Sequence, residues 1–136
     1  MIDKEIIKIA SNTENHGALD NHTHSSKLKN AICGDEMKIY LIIKDDKIKN
    51  FKYECESCIY CQASVSLLSK KAKNKSIQNI KGFAEQINNY FEKKTNSFDK
   101  EWEEFGMIIT KNNFSRKECL LLPIKTTIDA LSKKNL

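Results

Sequence analysis

The chain has 136 residues, 40% of them hydrophobic and 30% charged, which is typical of an ordinary globular protein and excludes a disordered or fibrous one. Its net charge of +5 comes from scattered lysines and a single arginine, Arg116, so a nucleic-acid-binding surface is not expected. No apolar run is long enough to span a bilayer and no leader peptide is evident, so we expect one cytoplasmic domain over residues 1–136, with no membrane partner.

The first thirty residues predict a short helix followed by a loop. Isoleucines recur at helical spacing over residues 2–10, which indicates an amphipathic helix. Residues 11–30 are polar and are expected to form a loop that ends in an edge strand near Leu28. This loop carries the three histidines, and a solvated loop is the preferred interpretation over a metal site: His16, His22 and His24.

A hairpin is predicted next. Apolar residues alternate with polar ones over residues 37–44 and again over residues 51–55, the pattern of half-buried strands. Asp45 and Asp46 between the two strands suit a turn. The two strands are therefore expected to pair antiparallel.

The remainder of the chain has the apolar spacing of helices. We predict a broad-faced, largely buried helix after an N-cap at Ser57, and another after Ser76. A third apolar stripe covers residues 98–109, and residues 112–113 are expected to form a loop. A last helix covers 121–131, with Pro123 near its start or at a kink. Strands followed by helices predict an α+β fold, a small antiparallel sheet packed against several helices.

Five cysteines, an odd number, favour metal or redox chemistry over a disulfide framework. Three of them form a C-x-x-C-x-x-C run at Cys55, Cys58 and Cys61. A bacterial ferredoxin would need a further cysteine where Val65 stands, and a zinc ribbon would need a second C-x-x-C pair. A thioredoxin-type pair would need a βαβ context, which the pattern lacks. The run alone is equally compatible with small buried thiols.

Three of the cysteines are more informative when they are considered together with one carboxylate. Cys33 and Asp35 flank a glycine that permits a sharp turn, so both side chains could point into one site. Cys58 is expected at a helix start, where a thiolate is favoured, and Cys119 follows Arg116 by three residues. A metal site is the better hypothesis for the set, and an oxygen among sulfur ligands would allow the metal to leave.

Three segments of the chain resemble the NifU N-terminal/IscU/SufU-type family of iron–sulfur cluster assembly scaffolds, with SufU-like members the most similar. Asn-Ala-Ile-Cys-Gly-Asp at 30–35 resembles the family's Asn-Pro-x-Cys-Gly-Asp. The helix start at 58–68 resembles its Cys-x-x-x-x-Ala-Ser-x-Ser, and Arg-Lys-Glu-Cys at 116–119 resembles the SufU-like Arg-x-x-Cys. The three segments occur in the family's order and separations.

The resemblance implies a sheet of about three strands and a scaffold rather than an enzyme. It places the ligands of a transient iron–sulfur cluster, of the 2Fe-2S type, on Cys33, Asp35, Cys58 and Cys119. It also implies two kinds of partner, a cysteine desulfurase that supplies sulfur and apo-proteins that accept the cluster. We interpret Asp35 as a harder, weaker ligand that keeps the cluster transferable.

The chain departs from the family at three places. Glu118 stands where IscU-type members have a histidine, and the Leu-Pro-Pro-Val-Lys chaperone-docking motif is replaced by residues 113–117. An Hsc-type chaperone partner is therefore not expected, and a SufU-like member is favoured. Cys55 and Cys61 are additional thiols; Cys61, one turn after Cys58, could be an extra ligand, a persulfide carrier or a buried thiol.

Two alternatives to the scaffold stay open. The same four ligands could hold zinc in a sulfurtransferase that accepts persulfide sulfur from a desulfurase, since zinc and iron share thiolate ligands. A structural zinc module is the third hypothesis, and it predicts unfolding on chelation. The additional thiols favour cluster chemistry.

Overall fold

The computed structural model describes residues 4–31, 34–95 and 97–133 and contains one three-stranded sheet. Its strands, antiparallel and neighbouring in chain order, are β1 (His24–Lys29), β2 (Glu36–Lys44) and β3 (Lys47–Glu56). The α-helices are α1 (Lys4–Ala10), α2 (Ile59–Lys71), α3 (Ile77–Phe91) and α4 (Lys117–Leu131), and two 3₁₀ helices cover Lys100–Met107 and Lys111–Arg116. The α+β class, the edge strand and the hairpin are confirmed.

The β2–β3 hairpin turns at two consecutive aspartates in the left-handed region. Asp45 has φ 55° and Asp46 has φ 61°, the combination that a type I′ turn requires and that short polar side chains tolerate. The turn fixes a register in which Met37 faces Cys55 and Ile39 faces Tyr53. Because directly opposite residues share a sheet face, these side chains lie on the face that the helices cover.

Helix α2 is the central helix of the fold. It packs against α1, α4 and β3, and eight of its thirteen residues are buried, as its broad apolar spacing predicts. Helix α4 lies against β1 and β2 and also contacts α2. The amino ends of α2 and α4 are therefore held close to the end of the sheet where β2 begins.

Helix α3 begins at the predicted cap. The Ser76 hydroxyl oxygen accepts a hydrogen bond of 3.1 Å from the Asn79 N–H, and the helix ends at Phe91, before the predicted break. The predicted N-cap at Ser57 is wrong, because the chain stays extended for one residue more and Cys58 occupies the cap position. Cys58 makes no side-chain capping bond there.

The segment between α3 and α4 also differs from prediction. Within the stripe over residues 98–109, Lys100–Met107 form a 3₁₀ helix rather than an α-helix, and residues 112–113 lie in a second 3₁₀ helix rather than in a loop. The reason is visible in the spacing of Trp102 and Phe105, which are three residues apart and both fully buried. In a 3₁₀ helix residues at this spacing lie one above the other, so both rings face the core.

Candidate metal centre

Three side chains from different elements meet at one end of the sheet. A carboxylate oxygen of Asp35 and the sulfur atoms of Cys58 and Cys119 all lie within 4.8 Å of one another. Asp35 and Cys119 are buried, with 5% and 4% of their surface exposed, and Cys58 is half-buried. Within the described residues this is the only group of three or more such ligands. The predicted ligand Cys33 lies outside the described residues.

The loop between β1 and β2 positions Asp35. The Asn30 N–H donates to the Asp35 backbone carbonyl at 2.7 Å, and the Gly34 N–H donates to the Asn30 carbonyl at 2.7 Å. Gly34 has φ 76°, a conformation that residues with a Cβ adopt only at a cost. Asn30 is thus held to Gly34 and Asp35 by two hydrogen bonds, and the Asp35 side chain is directed toward α2.

A direct hydrogen bond joins Asp35 to the amino end of α2. The Cys58 N–H donates to Asp35 Oδ1 at 3.0 Å. Because the first N–H groups of a helix have no partner within it, a carboxylate at this position satisfies one of them and interacts favourably with the helix dipole. Two members of the group are therefore fixed relative to each other by a bond that the sequence did not indicate.

Cys119 reaches the group from the first turn of α4. This turn is held to α2 by the Ser64 hydroxyl, which donates to the Leu120 carbonyl at 2.8 Å. Pro123 lies inside α4 and has no N–H to donate to the Cys119 carbonyl four residues before it. The guanidinium carbon of Arg116 lies 5.0 Å from the centroid of the Tyr60 ring, so a positive charge lies where α4 meets α2.

Several residues singled out in the sequence lie outside the group. Glu118, beside Cys119, is exposed and forms an ion pair of 3.3 Å with Lys125. Cys61 is fully buried in the core, and burial raises the pKa of its thiol well above the usual value. Cys55, on β3, is half-buried, and burial raises its pKa too. None of the four described cysteines forms a disulfide.

None of the three histidines belongs to the group. The His16 ring lies edge-on to the Tyr53 ring, with centroids 5.5 Å apart, and His22 Nδ1 donates to the Leu19 carbonyl at 2.5 Å. His24 opens β1 instead of lying in the predicted loop, and its Nδ1 lies 2.8 Å from the Thr23 hydroxyl.

Comparison with known proteins gives the family of this chain. Residues 1–99 match the NifU-like N terminal domain family, and the chain belongs to that family. It is 29% identical to the iron–sulfur cluster assembly scaffold protein IscU of Thermotoga maritima, over 98% of this chain and 94% of the relative. The family predicted from the three sequence segments is therefore confirmed.

Solved structures agree with this assignment. FiSufU from Fervidobacterium islandicum AW-1, described as a candidate scaffold protein for iron–sulfur cluster assembly in the SUF system, matches with a TM-score of 0.83 and 27% identity, over 96% of each chain. The amino-terminal NifU-like protein of Brucella abortus matches with a TM-score of 0.87 over 96% of this chain and 91% of its own, and at 17% identity it supports the fold alone. Among the helices of the described residues, none is long and apolar enough to cross a bilayer.

Proposed function

We propose that the chain is one scaffold domain that builds a labile iron–sulfur cluster on Cys33, Asp35, Cys58 and Cys119 and passes it to apo-proteins. The observation that carries this proposal is the convergence of the Asp35, Cys58 and Cys119 donor atoms within 4.8 Å. Cys33 is included because it lies two residues before Asp35 in the segment that resembles the family's Asn-Pro-x-Cys-Gly-Asp. The cluster, of the 2Fe-2S type, is the cargo of the protein.

The chemistry of the donors supports assembly followed by release. Thiolates are the preferred ligands of iron–sulfur clusters, and a carboxylate oxygen is a harder ligand. Asp35 Oδ1 also accepts the Cys58 N–H, so part of the carboxylate charge is already engaged by the protein. Asp35 is thus the ligand that a thiolate of an acceptor protein displaces first.

The proposal names the partners by their chemistry. Sulfur comes as a persulfide from a cysteine desulfurase, and the products are iron–sulfur acceptor proteins. Free thiols of this kind persist in a reducing compartment, which supports the cytoplasm as the place of assembly. Since the IscU relative is named a scaffold, the role is assembly rather than turnover of a small substrate.

A zinc-dependent sulfurtransferase is the second candidate. Ligands about 2.1–2.3 Å from zinc in a tetrahedron lie roughly 3.5–3.8 Å from one another. The observed donors, all within 4.8 Å, fit one such ion with little movement. Zinc would hold the cysteines as thiolates, and a thiolate of this chain would then accept sulfur from a desulfurase persulfide.

Anaerobic reconstitution separates the two candidates. The full chain is incubated with ferrous iron, cysteine and a cysteine desulfurase, visible absorption is recorded, and the product is mixed with an apo-ferredoxin. A coloured cluster that moves to the ferredoxin supports the scaffold. Tightly held zinc, no cluster and faster desulfurase turnover would instead support the sulfurtransferase.

Replacing Asp35 should trap the cluster on the scaffold. Asp35→Ala removes the weakest ligand, and we expect transfer to an apo-ferredoxin to slow at least about tenfold, a barrier increase of about 1.4 kcal/mol. Asp35→Asn retains an acceptor for the Cys58 N–H, so it separates the loss of this hydrogen bond from the loss of charge. Asp20→Ala, which removes an exposed carboxylate, is the control. Transfer by Asp35→Ala at the wild-type rate would show that Asp35 does not govern release.

A further inference from the structure

A basic, aromatic cavity lies between the end of α3 and the second 3₁₀ helix. Its volume is about 620 Å³, within the range of about 300–1,000 Å³ that is usual for ligand sites. The described residues that line it are two aromatic residues, three lysines and a threonine: Tyr90, Phe114, Lys93, Lys94, Lys111 and Thr95. None of these lining residues is acidic, so the lining is positively charged at neutral pH.

Contacts between aromatic rings fix one wall of the cavity. The Tyr90 ring stacks on the Phe98 ring, with centroids 5.1 Å apart and an interplanar angle of 14°. The Phe114 ring lies edge-on to Tyr90 at 5.9 Å and against Phe91 at 5.3 Å. Tyr90 and Phe114 are half-buried, so part of each ring remains accessible at the cavity. The wall is therefore a preformed apolar surface on which an aromatic side chain of a ligand can pack.

The chain reversal after α3 brings Lys93 to the cavity in a strained conformation. Lys93 has φ 63°, and the Lys94 N–H donates to the Asn89 carbonyl at 2.8 Å, which closes the helix end. Glycine adopts this left-handed conformation at the lowest cost, and aspartate and asparagine tolerate it. The other described non-glycine residues with positive φ are aspartates and an asparagine. A lysine at this position thus places a cation at the cavity at a cost in stability.

The lysines of the lining are exposed to an incoming ligand. No ion pair joins Lys93 or Lys111 to another described residue. Lys94 pairs with Glu92 at 3.0 Å, but 68% and 54% of the two side chains are exposed. An ion pair this exposed contributes little, so a carboxylate of a ligand can replace Glu92.

Carboxylates suit this lining better than phosphates. The cavity lies at the carboxyl end of α3, where the helix dipole opposes a concentrated negative charge. Lysine also lacks the planar fork with which arginine binds a phosphate at two points, and Arg116 is not among the lining residues. Several single negative charges around one aromatic ring are the features of a peptide segment rather than of a nucleotide.

The cavity adjoins the helix that carries Cys119. The second 3₁₀ helix ends at Arg116, α4 follows it directly, and Phe114 precedes Cys119 by five residues. Lys117 Nζ lies 5.9 Å from the centroid of the Phe91 ring, so the start of α4 packs against the end of α3. A protein bound at the cavity is therefore held beside the helix start that contributes Cys119 to the metal centre.

We propose that the cavity docks an acidic segment with an aromatic side chain, carried by the protein that accepts the cluster. This inference rests on the proposed function. The aromatic side chain of the partner packs on Tyr90 and Phe114, and its carboxylates pair with Lys93 and Lys111. Because opposite charges steer the two proteins together, docking weakens as the salt concentration rises.

Peptide binding to the full chain without a cluster tests the docking. The peptide Asp-Glu-Phe-Asp-Glu is added at low salt, and amide shift changes in NMR spectra should concentrate at residues 90–95 and 111–114. Lys111→Glu should raise the Kd at least about tenfold, whereas Lys49→Glu, the same charge change at an exposed lysine outside the lining, should change it less than about twofold. Shift changes elsewhere, equal Kd values for the two variants, or tighter binding of ATP at these residues would overturn the inference.

Lys93→Gly separates binding from stability. Glycine relieves the strain at φ 63°, so the urea midpoint should not fall, while loss of the cation should raise the Kd of the peptide at least about threefold. An unchanged Kd in Lys93→Gly would contradict a role for this lysine in docking.

Cluster transfer distinguishes this inference from the scaffold proposal. Clusters are assembled from ferrous iron and inorganic sulfide, and transfer to an acidic apo-ferredoxin is measured per assembled cluster. Transfer should be about tenfold slower in Lys111→Glu than in Lys49→Glu at low salt. Equal transfer rates would overturn the docking inference and leave the scaffold proposal intact. Failure of the wild-type chain to assemble a cluster would overturn the scaffold proposal, and the peptide titration would then report on the cavity alone.

Discussion

Cys119→Ser should abolish stable cluster assembly. Cys119 is the donor that α4 contributes to the group, whereas Asp35 comes from the β1–β2 loop and Cys58 from the start of α2. A serine hydroxyl remains protonated near neutral pH and is a poor ligand for iron, whereas a thiolate is the preferred one. We expect cluster content per chain, measured as bound iron, acid-labile sulfide and visible absorption, to fall at least about tenfold.

Because serine and cysteine are similar in size, a loss of cluster in Cys119→Ser can be assigned to the lost thiolate rather than to a disturbed fold. Far-ultraviolet circular dichroism and the urea midpoint of Cys119→Ser should remain close to those of the wild type. Cys61→Ala is the matched cysteine control: Cys61 is fully buried and lies outside the group, so its removal should reduce stability but retain the cluster. Wild-type cluster content in Cys119→Ser, or its loss in Cys61→Ala, would require a different ligand set.

Trp102→Ala should be the most destabilising single substitution among those considered. Trp102 is 0% exposed and stacks on Phe83 of α3, with ring centroids 4.1 Å apart and an interplanar angle of 11°. Truncating a buried tryptophan costs about 3–5 kcal/mol, against a total stability of about 5–15 kcal/mol for a typical domain. Urea unfolding followed by circular dichroism measures the difference, since the substitution removes the tryptophan fluorescence.

Trp102→Phe provides the comparison. The Trp102 Nε1–H is buried without a hydrogen-bond partner among the described residues, and phenylalanine removes this donor while it keeps an aromatic ring against Phe83. The cost of Trp102→Phe should therefore be less than half that of Trp102→Ala. A cost below about 1 kcal/mol for Trp102→Ala would show that the 3₁₀ segment is not part of the cooperative core.

Elements whose formation depends on a single local sequence pattern were predictable from the sequence. Alternation over residues 37–44 gave the strand β2, and the side chain of Ser76 gave the start of α3. The segment 98–109 has the apolar spacing of a helix, but Trp102 and Phe105, three residues apart, both face the core, and a 3₁₀ helix allows this. The choice between an α-helix and a 3₁₀ helix depended on tertiary packing, and the spacing of apolar residues gives no information on that packing.

The candidate site was predictable as a set of residue types but not as a geometry. Family resemblance selected Asp35, Cys58 and Cys119, which the structure brings together, and Cys33, which lies outside the described residues. The hydrogen bond from the Cys58 N–H to Asp35 could not be predicted from the sequence, because only the packing of α2 on the sheet brings these two residues close.

Because of Pro123, the two sides of the site differ in the hydrogen bonds that hold them. Asp35 and Cys58 are joined by their own hydrogen bond, whereas the turn that carries Cys119 lacks one of the backbone bonds of a regular helix. Local opening begins where the fewest bonds must break, so fraying of the α4 start is the least costly distortion that separates the donors. The Ser64 contact to Leu120 opposes this fraying. The proline thus leaves the Cys119 side of the site with one backbone hydrogen bond fewer, which makes it the easier side to distort.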